Sequence, residues 1–233
     1  MLITLGGQLV TIVVSLMDLR SPISTVVPSL DGPVLQVLAR SDCGLSGRQI
    51  HKLAGTGSVA GVRLVLQRLA TTGLVHVDDV GNSLLYHLNR NHLVAPAVEF
   101  LADLRSTLTS RLADEISAWR IPPVHASLYG AIARGDGDLE SDVDLLLIRP
   151  DQVDTGDVLW EDQAARLMQS VVDLTGNPAH VFELSRTELT DHLTKEDPIL
   201  NDWLQPSLPL YGVPVPSLLD RTTPVHRARL GVS

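Results

Sequence analysis

The sequence predicts an α+β chain built in two parts, and three observations predict it. Residues 28–93 run through three helical stretches into two period-two strands. Residues 94–120 carry one long apolar stripe at helical spacing. Residues 121–215 pass from strand to glycine turn, short helix and second strand, with two aspartates on that second strand. Length and composition agree with this division. The chain has 233 residues, 44% hydrophobic and 19% charged, which suits one large or two small globular domains and excludes a disordered chain.

Cys43 is the single cysteine, which excludes an intramolecular disulfide and a cysteine-based zinc site and fits a reducing cytoplasm. Two lysines, Lys52 and Lys195, stand among 18 basic residues, so a phosphate clamp here is expected to be arginine. The net charge of −9 argues against a simple nucleic-acid binder, but the charge is uneven. Residues 18–95 hold seven Lys/Arg and five Asp, for +2, and residues 96–233 hold eleven Lys/Arg and twenty-two Asp/Glu, for −11. A mildly basic front and an acidic rear imply two domains with different tasks.

The first seventeen residues carry no charged side chain. Leu2 to Met17 lacks the basic start and small-residue cleavage site of a signal peptide. It is also short for a transmembrane helix, so no membrane association is expected. Residues 1–27 are an N-terminal extension with two readings: a strand, or a stretch upstream of a start at Met17.

The first helix is expected from Ser29 to about Arg40, with Val34, Val37 and Leu38 on one face. The second runs from Ser46 to Leu53 and ends at the glycine-rich turn Ala54-Gly55-Thr56-Gly57. The third runs from Ser58 to Thr71, with Val59, Val62, Leu66 and Leu69 as its stripe and Gly73 as its stop. Leu74–Val77 and Leu84–Leu88 then read as strands around a turn at residues 78–82. Three helices and a hairpin, with a tight turn between the second and third helices, resemble bacterial winged helix-turn-helix regulators over residues 28–93. That resemblance implies DNA as a partner: the third helix in the major groove, Ser58 at its start, Arg63 and Gln67 (i, i+4) toward the bases, and Arg48 or Lys52 on phosphate. The competing reading is a protein-docking module, because Ser58, Ala60 and Gly61 are small and Asp78 and Asp79 repel phosphate.

Residues 94–120 are expected to form one connecting helix, with Leu101, Leu104, Leu108, Leu112, Ile116 and Trp119 in line. The stripe packs on its own domain or serves as a homodimer seam, and Ile121-Pro122-Pro123 ends it.

In the rear half, residues 124–129 suit a strand, Gly130 a tight turn and residues 131–134 a short helix. Gly135-Asp136-Gly137-Asp138 breaks that helix before a second strand, Asp142–Ile148. Asp142 and Asp144, at i and i+2, share one face of this strand. Two acids on an otherwise apolar strand call for a cation, and Mg²⁺ (or Mn²⁺) prefers such oxygen ligands alongside substrate phosphates. The Gly130 turn lets backbone N–H groups approach a phosphate.

Gly130, Ala133, Arg134, Gly135, Ser141, Asp142, Asp144, Leu145 and Leu146 resemble the signature of the minimal nucleotidyltransferases of the DNA polymerase β-like superfamily, over about residues 122–215. The fusion to a winged helix is similar to two-domain proteins of actinomycete-type bacteria. The resemblance implies a polymerase β-like domain with a mixed sheet at 121–215 and a tail at 216–233. It implies a magnesium-dependent enzyme that transfers a nucleoside monophosphate from an NTP, by default ATP, to a protein or RNA acceptor. Relatives of this kind include antitoxins that AMPylate a toxin and toxins that modify tRNA ends, which implies a toxin–antitoxin-like setting. Asp142 and Asp144 would hold two metals about 4 Å apart. Gly130, Ala131, Arg134 and Ser141 would bind the nucleotide. Glu183, the one acid within the strand 179–184, is the candidate third ligand or base, with His180 as the alternative. Ala131 departs from the family's serine, a loss of about 1–2 kcal/mol of hydrogen bonding to phosphate. It favours the alternative function, a winged-helix DNA-binding transcriptional regulator whose second domain is weakly active or only binds nucleotide.

Overall fold

A computed structural model describes residues 2–5, 8–11, 16–138, 141–195, 203 and 207–220. The fold is α+β, and it divides into two compact units, Ser21–Thr107 and Met1–Arg20 with Leu108–Ser233. The part of the expected tail beyond residue 220 lies outside the described residues. Among the described residues no helix is long and apolar enough to cross a membrane.

The Ser21–Thr107 unit begins with a 3₁₀ turn, Pro22–Thr25, and helix α1, Asp31–Ala39. Strand β3 (Leu45–Ser46) leads directly into α2, Gly47–Ala54. Ser46 and Gln49 close a capping box that satisfies orphan N–H groups at the start of α2. Gly55, at φ 65°, ends that helix in the left-handed region that a side chain would disfavour. Helix α3, Val59–Thr71, is capped by Ser58, whose Oγ accepts from Gly61 N at 3.0 Å. Strands β4 (Val75–Val80) and β5 (Ser83–Leu88) form the hairpin, and the antiparallel sheet runs β3-β5-β4. Helix α4, Ala95–Ala102, closes the unit's core, in which Ile23, Leu38, Ile50, Val62, Leu66, Tyr86 and Val98 are buried together.

Three expectations are corrected here. The hairpin turn is two residues long, because Val80 pairs with Ser83 and Gly81 adopts φ 62°, so Asp78 and Asp79 lie within β4. Val59 is 48% exposed and lies off the buried stripe. The single helix expected over 94–120 is two, α4 and α5 (Leu104–Ser117). Asp103 breaks it: the residue leaves helical geometry, and its carboxylate accepts from Ser106 Oγ at 2.6 Å, a local bond that competes with the helix ladder. The apolar stripe divides accordingly, Leu101 packing in the core just described and Leu108, Leu112 and Ile116 in the core of the other unit.

That other unit is built on a mixed four-stranded sheet, order β8-β7-β6-β9. The strands are β6 (His125–Tyr129), β7 (Val143–Arg149), β8 (Ala179–Ser185) and β9 (Leu208–Gly212). β6 is antiparallel to both β7 and β9, whereas β7 and β8 are parallel, joined by α7 (Val158–Thr175) as parallel strands require. β7 is apolar on both faces. Val143, Leu145 and Leu147 pack with Leu112 and Ile116 of α5 and Trp160 and Leu167 of α7. Leu146 and Ile148 face Leu184, Leu189, Trp203 and Leu218 on the other side. Each such fully buried side chain contributes about 1.5–3 kcal/mol. Short helices α6 (Gly130–Arg134), α8 (Arg186–Thr194) and α9 (Val215–Asp220) complete the unit. In the N-terminal stretch, β1 (Leu2–Leu5) and β2 (Gln8–Thr11) pair as an antiparallel hairpin.

Candidate functional site

Asp142 and Asp144 have the same parity as Leu146 and Ile148 and therefore share one face of the sheet. β8 brings His180 opposite Asp144 in register, and His180 Nε2 lies 3.1 Å from Asp142 Oδ2. The two side chains are 64% and 43% exposed, so this is a hydrated surface pair. The carboxylate of Asp144 lies across the Gly130 turn, where a Cβ would come within 2.5 Å of its Oδ2. Gly130 holds φ 68°, and no other residue type fits this approach as readily.

The phosphate half of the expected site is less favourable. Gly130 and Ala131 open α6, a helix of five residues, and the turn faces the negative charge of Asp144. Arg134 is paired with Asp136, Nε to Oδ2 at 3.2 Å. Ser141 Oγ donates to Asp138 Oδ1 at 2.9 Å, an arrangement that shapes the loop.

Glu183 is corrected. It sits opposite Leu147 in register, on the sheet face away from Asp142 and Asp144, and its Oε1 accepts from Arg149 Nε at 2.9 Å. Arg149 is only 4% exposed, and Glu183 serves as its counter-ion. Among the described residues no group of three or more His, Cys, Asp or Glu is arranged to hold a metal ion. Glu183 is therefore not placed as a third ligand beside Asp142 and Asp144.

Sequence reasoning passed over three polar residues that organise this unit. Asn177 is fully buried; its Oδ1 accepts from Met17 N at 3.0 Å, and its Nδ2 donates to Met17 O and Ser141 O. His125, 1% exposed, lies between Val213 O and Ser127 Oγ at 2.8 and 2.9 Å, and burial lowers its pKa. Arg149 bridges Glu183, Thr155 and the Val153 carbonyl. The one sequence signal was their position: a polar residue inside or at the end of an apolar run.

In the Ser21–Thr107 unit the expected contact residues lie on α2 and α3. Arg48 and Lys52, one turn apart, are exposed on α2, and Arg63 and Gln67 are exposed on α3. None of Arg48, Lys52 and Arg63 forms an ion pair with a described residue. Ser58 is exposed too, but its hydroxyl is engaged as the α3 cap. The same surface includes Leu53 (63% exposed) and Leu64 (67%). On β4, Asp78 and Asp79 are exposed, and Asp78 lies 3.5 Å from His87 Nδ1.

No family model matches this chain, and no curated protein does. Among solved structures, human N-acetylserotonin methyltransferase in complex with SAM is similar at 16% identity, over 40% of this chain and 31% of that one, with a TM-score of 0.26. The chain thus spans about a third of that protein's length, and a likeness at this TM-score assigns neither fold nor activity. The polymerase β-like expectation is corrected, since neither a family model nor a curated protein supports it. Nucleotidyl transfer, the toxin–antitoxin-like setting and the nucleotide-sensing regulator fall with it. Of the matched positions, Gly130 and Gly135 lie at turns with positive φ, and Leu145 and Leu146 are buried on β7.

Proposed function

We propose that the Ser21–Thr107 unit is a winged helix-turn-helix module that docks on double-stranded DNA through α2 and α3. The observation that supports this is which cations the unit's own acids leave uncommitted. The unit holds seven Lys/Arg against six Asp/Glu, net +1. Arg68 pairs with Asp31, and Arg90 pairs with Asp42 and Glu99. Arg40 donates to the Ala102 carbonyl, and Arg105 is partly desolvated beside it. Arg48, Lys52 and Arg63 are left, all on the two helices that a helix-turn-helix sets against the duplex. A near-neutral unit thus keeps three exposed cations, Arg48, Lys52 and Arg63, on these two helices, apart from Arg40 at the end of α1. The acidic β4 strand stays off the phosphates, so the helices carry the contact. Arg63 and Gln67 are suited to base edges, and Arg48 and Lys52 to backbone phosphate.

Fluorescence anisotropy of the full chain with a labelled duplex tests the proposal. Arg63→Ala is expected to weaken binding by about 1–3 kcal/mol if the arginine reads a guanine, and by less if it meets phosphate. Unchanged affinity in Arg63→Ala and Gln67→Ala together would remove α3 as the reading helix.

A second reading is favoured by Leu53 and Leu64, which expose apolar surface on the same helices and suit a protein partner. It predicts no measurable duplex affinity at low salt.

A further inference from the structure

A cleft of about 400 Å³ opens beside the C-terminal end of α1, between that helix and α4. We propose that it binds a small organic monoanion, a single carboxylate carried on an apolar or aromatic body. The volume lies within the range of small-molecule sites, roughly 300–1,000 Å³. Its walls divide by chemistry. Phe100, 57% exposed, and the methyl groups of Ala39 and Ala102 give it an apolar side. Arg40, Arg90, Glu99 and Asp103 give it a charged one.

The charged side has a definite balance. Arg90 is committed: it pairs with Glu99 and Asp42 and donates to the carbonyls of Ala39 and Ser41. Glu99 is neutralised in the same pair. Arg40 makes one hydrogen bond, to Ala102 O at 2.9 Å, and no ion pair among the described residues. A guanidinium has five N–H donors in a planar fork that matches a carboxylate, so Arg40 has donors to spare. Arg105 stands beside it, its pKa lowered first by burial and then by the charge of Arg40. Asp103 limits the anion to one charge: it lines the cleft with its Oδ1 engaged by Ser106, and a dianion would meet its repulsion. The inference stands on the cleft alone and does not depend on DNA binding by α2 and α3.

Calorimetric titration of the full chain with benzoate tests it, with benzamide as the neutral counterpart and phthalate as the dianion. Saturable one-site binding of benzoate is expected, with benzamide and phthalate each weaker by about tenfold or more. Arg40→Gln is expected to reduce benzoate affinity about tenfold, because the charge and the fork are lost together. Phe100→Ala truncates an exposed ring, leaves the fold intact by thermal melting and is expected to reduce affinity several-fold. No saturable uptake of benzoate would overturn the proposal. So would equal affinity for benzamide, or binding that neither variant changes.

Discussion

Removing the Arg149 guanidinium while keeping its bulk, as Arg149→Met, is expected to destabilise the unit that contains it by about 3 kcal/mol. Arg149 is 4% exposed at the end of β7. It donates to Glu183 at 2.9 Å, to Thr155 Oγ1 at 3.1 Å and to the Val153 carbonyl, and Glu188 lies 3.6 Å away. Hydrogen bonds to charged groups contribute about 1.5–3 kcal/mol each, and stripping one partner from a fully buried ion pair costs about 3–5. The partners here are partly hydrated, Glu183 at 29% and Glu188 at 52% exposed, so water recovers a share and the lower part of that range applies. The assay is urea unfolding followed by tryptophan fluorescence. All three tryptophans, Trp119, Trp160 and Trp203, belong to the unit with Arg149, so the signal reads that unit alone. With a slope of about 2 kcal/mol/M, the midpoint should fall by about 1.5 M. Glu183→Gln should cost less, because Arg149 keeps its other partners. A midpoint shift below about 0.3 M in Arg149→Met would refute the view that this network ties β7, β8 and the following loop together.

Other consequences follow from the same unit. Burial holds His125 neutral by lowering its pKa, so below about pH 6.5 the unfolded chain takes up a proton that the folded chain refuses. Its stability is present above that value and is lost as pH falls through it toward the lowered folded pKa; urea midpoints at about pH 7.5 and 5 should show the loss, and His125→Gln should lessen it. Gly212→Ala should abolish accumulation of folded protein, since φ is 75° and a Cβ would meet the Val124 carbonyl at 2.1 Å, backbone that cannot swing aside. Gly130→Ala is milder, about 2 kcal/mol, because the atom it strikes belongs to the Asp144 side chain. Adding Asp144→Ala should recover part of that loss, and strict additivity of the two changes in the same unfolding assay would contradict the contact.

Local chemistry was legible in the sequence where one residue decides an element. Ser46, Ser58 and Gly55 sit at the caps where side-chain oxygen and φ > 0 are needed, and α2 and α3 start and stop within a residue of expectation. The α+β class followed from the change of period at residue 74. Asp103 was harder, because an acid on the outer face of a helical stripe reads as an ordinary solvent position until its bond to Ser106 is seen. Asp78 and Asp79 read as loop because they are polar, whereas β4 exposes both its faces near the hairpin end and tolerates them. Glu183 failed for a different reason. Which face it takes depends on the register between β7 and β8, a pairing of residues far apart in the chain. The alternation of His180, Phe182 and Leu184 carries the parity that puts Glu183 on the opposite face. The resemblance around Asp142 and Asp144 led furthest astray. Its residues do form a strand–turn–helix–strand unit, β6–α6–β7.

The central claim, that the spare cations of α2 and α3 meet DNA phosphate, is tested most directly by the salt dependence of duplex binding. If Arg48 and Lys52 each neutralise one phosphate while Arg63 meets a base, the slope of log K against log salt is about −1.8, and affinity falls about 12-fold between about 50 and 200 mM salt. The Arg48→Ala/Lys52→Ala/Arg63→Ala variant, which leaves the unit's buried residues untouched, should bring the slope close to zero with the fold retained. A wild-type slope near zero, or a variant that keeps the wild-type slope and affinity, would contradict the claim.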